Sequence, residues 1–243
     1  KPDDAGNWLG VAFGRILKIG VADNNIVLYN TSEEDYLSIW KSYFDIDRNY
    51  MEIINNISRN DVLKTASSCA SGIRILKQEP WEALCSFIIS QNNNIPRIKG
   101  IIDRLCENFG DNLGGGFSFP TAVGLSNCTI EDLAPLRSGF RARYILDAAQ
   151  KVANGDIDFE LCKNGDIAEA QKELMKICGV GQKVADCSLL FGFGRIEAFP
   201  KDVWIKRAMT TLFDGELPEC AVQYAGIVQQ YIFHYARTTK LEI

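Results

Sequence analysis

The hydrophobic pattern changes along the chain from a period of two residues to a helical period. Residues Trp8 to Tyr29 alternate apolar and polar positions, and the runs RILKIGV and NIVLYN flank turn residues Ala22 to Asn25. This pattern predicts a β-hairpin. From Ser32 onward, apolar residues recur at helical spacing. We therefore expect an α+β protein, with a small antiparallel β-sheet and flanking helices over residues 1–75 and a mainly helical body over residues 76–243.

Capping residues and prolines mark the predicted helices. Ser32 precedes a helical run as an N-cap, Pro80 opens another helix, and Thr129 with Asp132 forms a capping box. A Gly-rich loop covers Gly110 to Pro120. The other predicted helices are Ile95–Phe109, Phe140–Ala153, Ile167–Ile177, Gln182–Phe191, Val203–Phe213 and Glu219–Ala236.

The segment from Leu174 to Asp202 carries the strongest functional pattern. It predicts a helix, a Gly-Val-Gly turn, a second helix and then a Pro-x-Asp sequence. Gly179 and Gly181 allow backbone angles that are closed to other residues, so the turn should expose bare N–H groups. Such groups at a helix N-terminus, with its partial positive charge, suit a phosphate oxygen. The pattern indicates sequence-independent DNA binding.

Two side chains in this segment suggest chemistry beyond binding. Lys183 lies in the first turn of the second helix, where a cation is disfavoured by roughly 0.3–1 kcal/mol. Together with nearby apolar residues, this position would favour the neutral amine, which can attack a sugar carbon and become an imine. A solvated lysine at a helix end is the structural alternative. Asp202 is a preferred N-cap, worth about 1 kcal/mol, and its carboxylate could also stabilise positive charge developing at C1′.

Several long blocks, far apart in the chain, occur in a familiar order between Trp8 and Tyr235. They are NWLGVAFGRIL, FIISQNNNIPRIKGIIDRLCENFG, GFRARYILDAAQKV, GVGQKVADC, FPKDVW and YAGIVQQYIFHY. By these blocks the chain resembles the 8-oxoguanine DNA glycosylase/AP lyases of the helix-hairpin-helix Gly/Pro-Asp (HhH-GPD) superfamily. The resemblance implies that the body consists of two helical subdomains with the active-site cleft between them, and that the sheet is truncated at its start.

The resemblance also implies roles for the hairpin segment. Lys183 would be the Schiff-base nucleophile and Asp202 the catalytic aspartate. The hairpin of Gly179, Val180 and Gly181 would hold a DNA phosphate. A monovalent or divalent cation could bridge the hairpin and the phosphate at the backbone of Cys178 and Val180. No other cofactor is implied.

The resemblance assigns a pocket for the extruded base as well. Cys187 and Phe233 would sandwich the base, Gln229 would read its Watson–Crick edge, and Phe191 would line the same pocket. Taken without the resemblance, Cys187 and Phe233 would be ordinary core residues. Gln229 is more informative, because a buried amide needs hydrogen-bond partners.

The remaining implied roles concern the DNA duplex. Asn92 would meet the cytosine left behind, and Arg97 and Arg141, expected at exposed helix ends, would read its other edges. Phe140 would wedge into the base stack, and Trp204 would lie near the backbone phosphates.

The sequence departs from the family pattern at several of these positions. Phe140 stands where the animal enzymes carry a tyrosine, so the hydroxyl hydrogen bond is lost and discrimination of the opposite base is open. Trp204 replaces a histidine that contacts phosphate, and Cys178 replaces the usual proline of the hairpin. The glycine whose carbonyl senses the lesion is expected just before Lys1.

Composition narrows the remaining classes of protein. The chain has 243 residues, of which 47% are hydrophobic and 23% charged, which predicts an ordinary globular protein. No apolar run reaches 18 residues, and the polar start KPDDAGN does not resemble a signal peptide, so we expect an intracellular protein without a membrane span. Eight cysteines without a CxxC motif predict reduced thiols and argue against an iron–sulfur cluster. The single histidine, His234, argues against a His-rich metal site.

The net charge of -5 is unusual for a protein that binds DNA. Between Gln171 and Arg207, however, there are seven basic residues against four acidic ones, while acidic residues concentrate elsewhere. One face of the molecule is therefore expected to be basic.

The main hypothesis from the sequence is a monomeric DNA repair enzyme that excises 8-oxoguanine from double-stranded DNA through a lysine Schiff base and then breaks the strand by β-elimination. Two alternatives stay open. One is a related glycosylase with another lesion preference, such as an oxidised pyrimidine. The other is a non-catalytic helix-hairpin-helix DNA-binding module, which gives Lys183 and Asp202 no joint task.

Overall fold

The computed structural model describes residues 6–239 and consists of a small antiparallel β-sheet followed by helices. Residues 1–5 and 240–243 lie outside the described range, as does the expected position of the lesion-sensing glycine before Lys1. This architecture confirms the α+β fold class predicted from the hydrophobic pattern.

The sheet contains three antiparallel strands in the order β1-β2-β3. These are β1 (Trp8–Ala12), β2 (Arg15–Ala22) and β3 (Asn25–Tyr29). Asp23 and Asn24 connect β2 to β3 with φ angles of 49° and 61°, as a tight hairpin turn requires at both central positions. The predicted hairpin is confirmed, and β1 adds a strand that pairs Trp8 with Ile19 on β2.

Polar side chains cap three of the helices between the sheet and residue 76. Ser32 caps the first of them by accepting a hydrogen bond from the Asp35 N–H at 3.0 Å, as predicted. Asn60 accepts from the Leu63 N–H at 3.1 Å and fixes the start of a later helix. In order, the elements are α1 (Glu33–Asp35), a π-helical turn (Tyr36–Trp40), α2 (Lys41–Tyr43), α3 (Tyr50–Ile57) and α4 (Asp61–Cys69).

The rest of the described chain is helical apart from loops and one isolated β-bridge. The α-helices are α5 (Pro80–Ser90), α6 (Ile95–Phe109), α7 (Ala122–Ser126), α8 (Arg141–Asn154), α9 (Phe159–Asn164), α10 (Ile167–Leu174), α11 (Gln182–Phe191), α12 (Val203–Phe213) and α13 (Ala225–Thr238). Two 3₁₀ turns, Ala134–Leu136 and Glu219–Tyr224, separate some of them. Pro80 opens α5, as predicted.

Two predicted helix bounds need correction, and one predicted capping box is followed by a 3₁₀ turn. The helix predicted over Glu219–Ala236 is a 3₁₀ turn followed by α13, because Tyr224 leaves the helical region with φ −119° and ψ 21°. The helix predicted to end at Ile177 ends at Leu174 and closes with a tighter turn, in which the Ile177 N–H bonds the Leu174 carbonyl. Thr129 and Asp132 do form the reciprocal bonds of a capping box, but the Ala134–Leu136 turn that follows stays 3₁₀.

Close packing sets α13 against α11. At Gly226 on α13, an added Cβ would lie 2.4 Å from Leu190 Cδ1 of α11 and 2.8 Å from the Ala198 carbonyl oxygen. Only a glycine permits this approach. Val184 and Leu189 of α11 are buried, as the apolar stripe predicts. α11 and α13 therefore approach each other closely at this point. No helix within residues 6–239 is long and apolar enough to cross a membrane.

A half-buried carboxyl group lies between the sheet and the helical body. Glu82 on α5 lines a cavity of about 640 Å³, together with Leu9–Ala12 of β1, the turn residues Phe13 and Gly14, and residues of α6. Burial, and secondarily the charge of Glu79, raises the pKa of Glu82 to about 7. Because the ordinary pKa is 4.5, the folded protein holds this proton more tightly than the unfolded chain. The stabilisation is complete below about pH 4.5 and is lost as the pH rises through about 7.

We expect Glu82→Gln to remove this part of the pH dependence. The variant should melt about 4 °C higher than the parent at pH 8, and the two melting temperatures should converge as the pH falls to 4.5. Calorimetry between pH 4.5 and 8 measures the effect. Glu107→Gln is the control, since Glu107 lines the same cavity but is exposed. Parallel curves for the parent and Glu82→Gln would contradict the assignment.

Candidate active site and nucleic-acid interface

A small cavity lies where three helices meet. Its volume is about 160 Å³, and its walls come from α11, from α13 and from the segment that leads into α12. The lining residues are Lys183, Cys187, Phe191, Pro200, Asp202, Gln229, Gln230 and Phe233. The structure thus brings the predicted amine, carboxylate and base-contacting side chains together. It adds Pro200 and Gln230, to which the sequence prediction gave no role in the cavity, although Pro200 belongs to the Pro-x-Asp sequence and Gln230 to the block YAGIVQQYIFHY.

Lys183 is the second residue of α11 and is exposed. No carboxylate lies within 4 Å of its amine in the described part of the chain. In the free protein Lys183 is thus accessible to solvent, so apolar residues alone do not complete the desolvation expected of this amine. A bound ligand that covers the cavity would have to supply that desolvation.

Asp202 is the N-cap of α12, which confirms the predicted structural role. Its Oδ1 accepts a hydrogen bond from the Ile205 N–H at 2.7 Å. Its Oδ2 accepts no hydrogen bond from any other residue between 6 and 239. The cap therefore fixes the side chain and leaves one carboxylate oxygen for a ligand in the cavity.

The side chains that are predicted to contact the base have different surroundings. Burial raises the pKa of Cys187 to about 12, so the thiol is neutral and presents a small apolar surface. Gln229 is 8% exposed, and its Oε1 accepts a hydrogen bond from Gln230 Nε2. Its Nε2 donates no bond within the described residues and is free to meet an acceptor in the cavity. Phe191 stacks on Phe87 at 5.5 Å between ring centroids.

The turn between α10 and α11 forms the predicted hairpin, with two corrections. Gly179 has φ +78°, and an added Cβ would lie 2.5 Å from the Tyr144 ring, so glycine is required there. Gly181 has φ −104° and ψ −179°, which other residues adopt, so its backbone does not require glycine. The Val180 N–H is not bare, since it bonds the Ile177 carbonyl at 3.0 Å.

The hairpin still offers a site for an anion. The N–H groups of Gly179 and Gly181 have no hydrogen-bond partner among the described residues, and they lie at the N-terminus of the ten-residue helix α11. The carbonyl oxygens of Cys178 and Val180 likewise accept no bond in the described chain, so both could contact a cation. Within residues 6–239, no group of three His, Cys, Asp or Glu side chains could hold a metal ion.

An open groove runs beside the hairpin. It has a volume of about 510 Å³ and passes from Asn92 and Phe140 to Gly181 and Lys183. Asn92 is exposed with φ +46°, and Phe140 is 48% exposed despite its aromatic ring. An apolar ring and an amide are thus presented to solvent on the same side as the amine. Arg97 and Trp204 are also exposed.

Comparison with models of known protein families identifies the family to which this chain belongs. Residues 1–84 match the model described as 8-oxoguanine DNA glycosylase, N-terminal domain, and residues 85–216 match the model described as HhH-GPD superfamily base excision DNA repair protein. This chain belongs to the HhH-GPD superfamily. The resemblance drawn from the sequence blocks is confirmed.

Individual relatives agree with this assignment. The N-glycosylase/DNA lyase of Saccharomyces cerevisiae is 37% identical over 181 residues, which cover 68% of this chain and 48% of the yeast protein. The N-glycosylase/DNA lyase OGG1 of Arabidopsis thaliana is 34% identical and covers 67% of this chain and 51% of that protein. The chain thus spans about half the length of these two curated relatives.

A solved structure of a relative matches almost the whole length of this chain. It is the Clostridium acetobutylicum 8-oxoguanine glycosylase/lyase in complex with dsDNA containing cytosine opposite to 8-oxoG. The TM-score is 0.89 at 36% identity, with 99% of this chain and 88% of the other chain covered.

Arg141 differs from its expected environment in this HhH-GPD protein. It was predicted at an exposed helix end, but it is 1% exposed. Its guanidinium donates to the carbonyl of Gln91, to that of Asn92 at 2.8 Å and to that of Ser138 at 3.1 Å. Burial, and secondarily the charge of Arg97, lowers the Arg141 pKa. In this structure Arg141 holds the loop that presents Asn92.

Sequence reasoning missed a buried polar network at the start of α11. Asp186 is 4% exposed and accepts from Gln171 Nε2 at 2.7 Å and from Gln182 Nε2 at 3.3 Å. Burial raises its pKa, and the two amide donors partly offset that effect. An acidic residue three positions after Lys183, within an otherwise apolar run, was the available signal. The network ties the HhH-GPD hairpin to α10.

Proposed function

We propose that this protein is a bifunctional DNA glycosylase that flips 8-oxoguanine out of duplex DNA, excises it and cleaves the resulting abasic site. The observation that carries the proposal is the 160 Å³ cavity, where Lys183 and Asp202 lie beside Cys187, Gln229 and Phe233. The named relatives are glycosylases and lyases, and the matching Clostridium structure holds duplex DNA with 8-oxoguanine.

The exposed groups beside the cavity fit a bent DNA duplex. The bare N–H groups of Gly179 and Gly181 would hold a backbone phosphate, with a cation at the Cys178 and Val180 carbonyls as a further bridge. Phe140 would enter the base stack and Asn92 would occupy the space left by the flipped base. Flipping costs a few kcal/mol, which these contacts would offset.

The duplex would be read on both sides of the lesion. Arg97 and Arg141 would contact the cytosine opposite the damaged guanine, and Arg141 would have to share or release the carbonyl bonds that it makes in the free protein. Trp204 would pack near the phosphate backbone beside the cavity. We place the protein with DNA inside the cell, acting as a monomer.

The flipped base would be sandwiched between the Cys187 thiol and the Phe233 ring. A neutral thiol suits this role, because a thiolate would be costly against an apolar wall. The free Nε2 of Gln229 would donate to a base oxygen, while Phe191 closes the side of the pocket. The Cys187 thiol and the Phe233 ring would select a flat base, and the Gln229 amide would select one with a hydrogen-bond acceptor at its edge.

The reaction follows from the two groups at the cavity mouth. The neutral Lys183 amine attacks C1′, and the glycosidic bond breaks with its electron pair leaving on the base, which takes up a proton. Asp202 stabilises the positive charge that develops at the sugar. The nitrogen then loses a proton and the C1′–O4′ bond opens with its electron pair leaving on O4′, which takes up a proton, so that an imine forms. The imine acidifies the 2′ proton, and removal of that proton expels the 3′ phosphate by β-elimination.

The test is excision from a panel of duplexes. Each duplex carries one lesion: 8-oxoguanine opposite cytosine, an oxidised pyrimidine, or 3-methyladenine. An undamaged duplex is the control, and borohydride is added to trap an imine. We expect release and a trapped adduct with 8-oxoguanine. Preferred release of another base would replace the lesion assignment, and binding without release from any duplex would leave a DNA-binding module.

A further inference from the structure

One face of α8 follows the DNA-binding hairpin along its length. Phe140 precedes the helix, and Tyr144, Asp147 and Lys151 follow at spacings that place them on the same side. Each of the last three side chains contacts the hairpin or the turn that leads into it. These contacts lie outside the cavity and have no part in the chemistry described above.

The polar part of this face binds the hairpin backbone at two points. Asp147 Oδ2 accepts from the Cys178 N–H at 2.7 Å and from Lys151 Nζ at 3.0 Å. Lys151 Nζ also donates to the Lys176 carbonyl at 2.7 Å. Asp147 and Lys151 are 29% and 31% exposed, so these bonds are partly shielded from water. We call this pair of residues the bracket.

The apolar part of the face continues the contact toward the groove. The Tyr144 ring packs directly against Gly179 and also lies edge-on to Phe140, at 5.6 Å between centroids. A single rigid helix therefore touches both the hairpin that would hold a phosphate and the ring that would enter the base stack.

The charge of Asp147 makes its position informative. A carboxylate beside a phosphate-binding hairpin repels DNA, since both groups are negative. The hydrogen bonds that Asp147 and Lys151 make must therefore favour DNA binding by more than this repulsion opposes it. Lys151 neutralises part of the charge of Asp147. The backbone N–H of Cys178 donates a hydrogen bond to the Asp147 carboxylate at 2.7 Å.

We propose that Asp147 and Lys151 are positioning residues that fix the hairpin backbone, through the Cys178 N–H and the Lys176 carbonyl, so that its bare N–H groups meet a DNA phosphate. The inference rests on the proposed function only in taking the hairpin as a DNA contact. It requires no particular lesion and no catalysis.

The sign of the effect of Asp147→Ala separates this role from simple electrostatics. Removal of a negative charge near DNA should by itself tighten binding. Loss of the bracket should instead weaken binding to an undamaged duplex about tenfold, which corresponds to one charge-assisted hydrogen bond. Asp156→Ala is the matched control, because Asp156 is exposed just beyond α8 and its removal should not weaken binding. Tighter binding or no change with Asp147→Ala would overturn the proposal.

A double-variant cycle tests the atom involved. Cys178→Pro removes the N–H from which Asp147 accepts its hydrogen bond, since proline has no backbone donor. We expect Asp147→Ala to cost much less affinity in the Cys178→Pro background than in the parent. An equal cost in both backgrounds would show that Asp147 acts through some other contact.

Asp147→Asn provides a second route should Cys178→Pro fail to fold. The amide oxygen can still accept from Cys178, so this variant should retain most of the affinity that Asp147→Ala loses. Affinity as low as that of Asp147→Ala would overturn the proposal. All three measurements use binding to undamaged duplex, so they remain readable if the protein proves to excise another base or none.

Discussion

Lys183→Gln is expected to abolish base release and the borohydride-trapped adduct while leaving the fold intact. The amide has no amine to form an imine, so excision should fall by at least about a thousandfold. Glutamine is as good a helix former as lysine, and it removes a cation from the first turn of α11, where a cation is disfavoured. The melting temperature should therefore stay the same or rise slightly.

Single-turnover release from the 8-oxoguanine duplex, with and without borohydride, measures this effect. Lys206→Gln is the control, because it removes the same charge from an exposed lysine of α12. The control should retain excision and lose only some salt-dependent affinity. Release by Lys183→Gln at the rate of the control would exclude Lys183 as the nucleophile.

The exposure of Lys183 bears on how the amine becomes reactive. It is not buried in the free protein, and no carboxylate pairs with it in the described residues. The α11 N-terminus alone contributes only about 0.3–1 kcal/mol against the charged form. DNA that covers the cavity would remove water from the amine and favour its neutral form further. Covering of the cavity by the DNA substrate would thus be part of the activation of the Lys183 amine.

Local rules predicted much of the fold, and they did so where one residue type has one strong preference. Ser32 and Asp202 are N-caps, Pro80 opens a helix, and Asp23 and Asn24 form the hairpin turn. In each case the cause lies within three or four residues of the effect. The cavity residues, in contrast, come from distant segments, and family resemblance rather than local pattern named them together.

Long-range contacts explain the errors. Arg141 looks like a solvated residue at a helix start, but its partners Gln91 and Asn92 lie about fifty positions earlier in the chain. The bond from Cys178 to Asp147 spans 31 positions. No periodicity within one helix encodes such partners. Gly181 shows the opposite case, a glycine whose backbone angles are ordinary and whose surroundings leave room for a side chain.

Asp202→Asn is expected to separate the two roles of this residue. Asparagine is as good an N-cap as aspartate, so its side-chain oxygen should still accept from the Ile205 N–H and the melting temperature should change little. The negative charge that we propose to lie beside C1′ is lost, however. Excision should therefore fall about 100- to 1000-fold, the usual cost of removing one group that stabilises a transition-state charge.

Comparison with Asp202→Ala gives the matched control for the cap. That variant loses both the cap and the charge, so it should be destabilised by about 1 kcal/mol and excise no faster than Asp202→Asn. Binding to an undamaged duplex should not weaken in either variant, because each removes a negative charge. If Asp202→Asn excised at the parent rate while Asp202→Ala did not, the cap alone would account for Asp202. The positive charge at the sugar would then need another partner in the cavity.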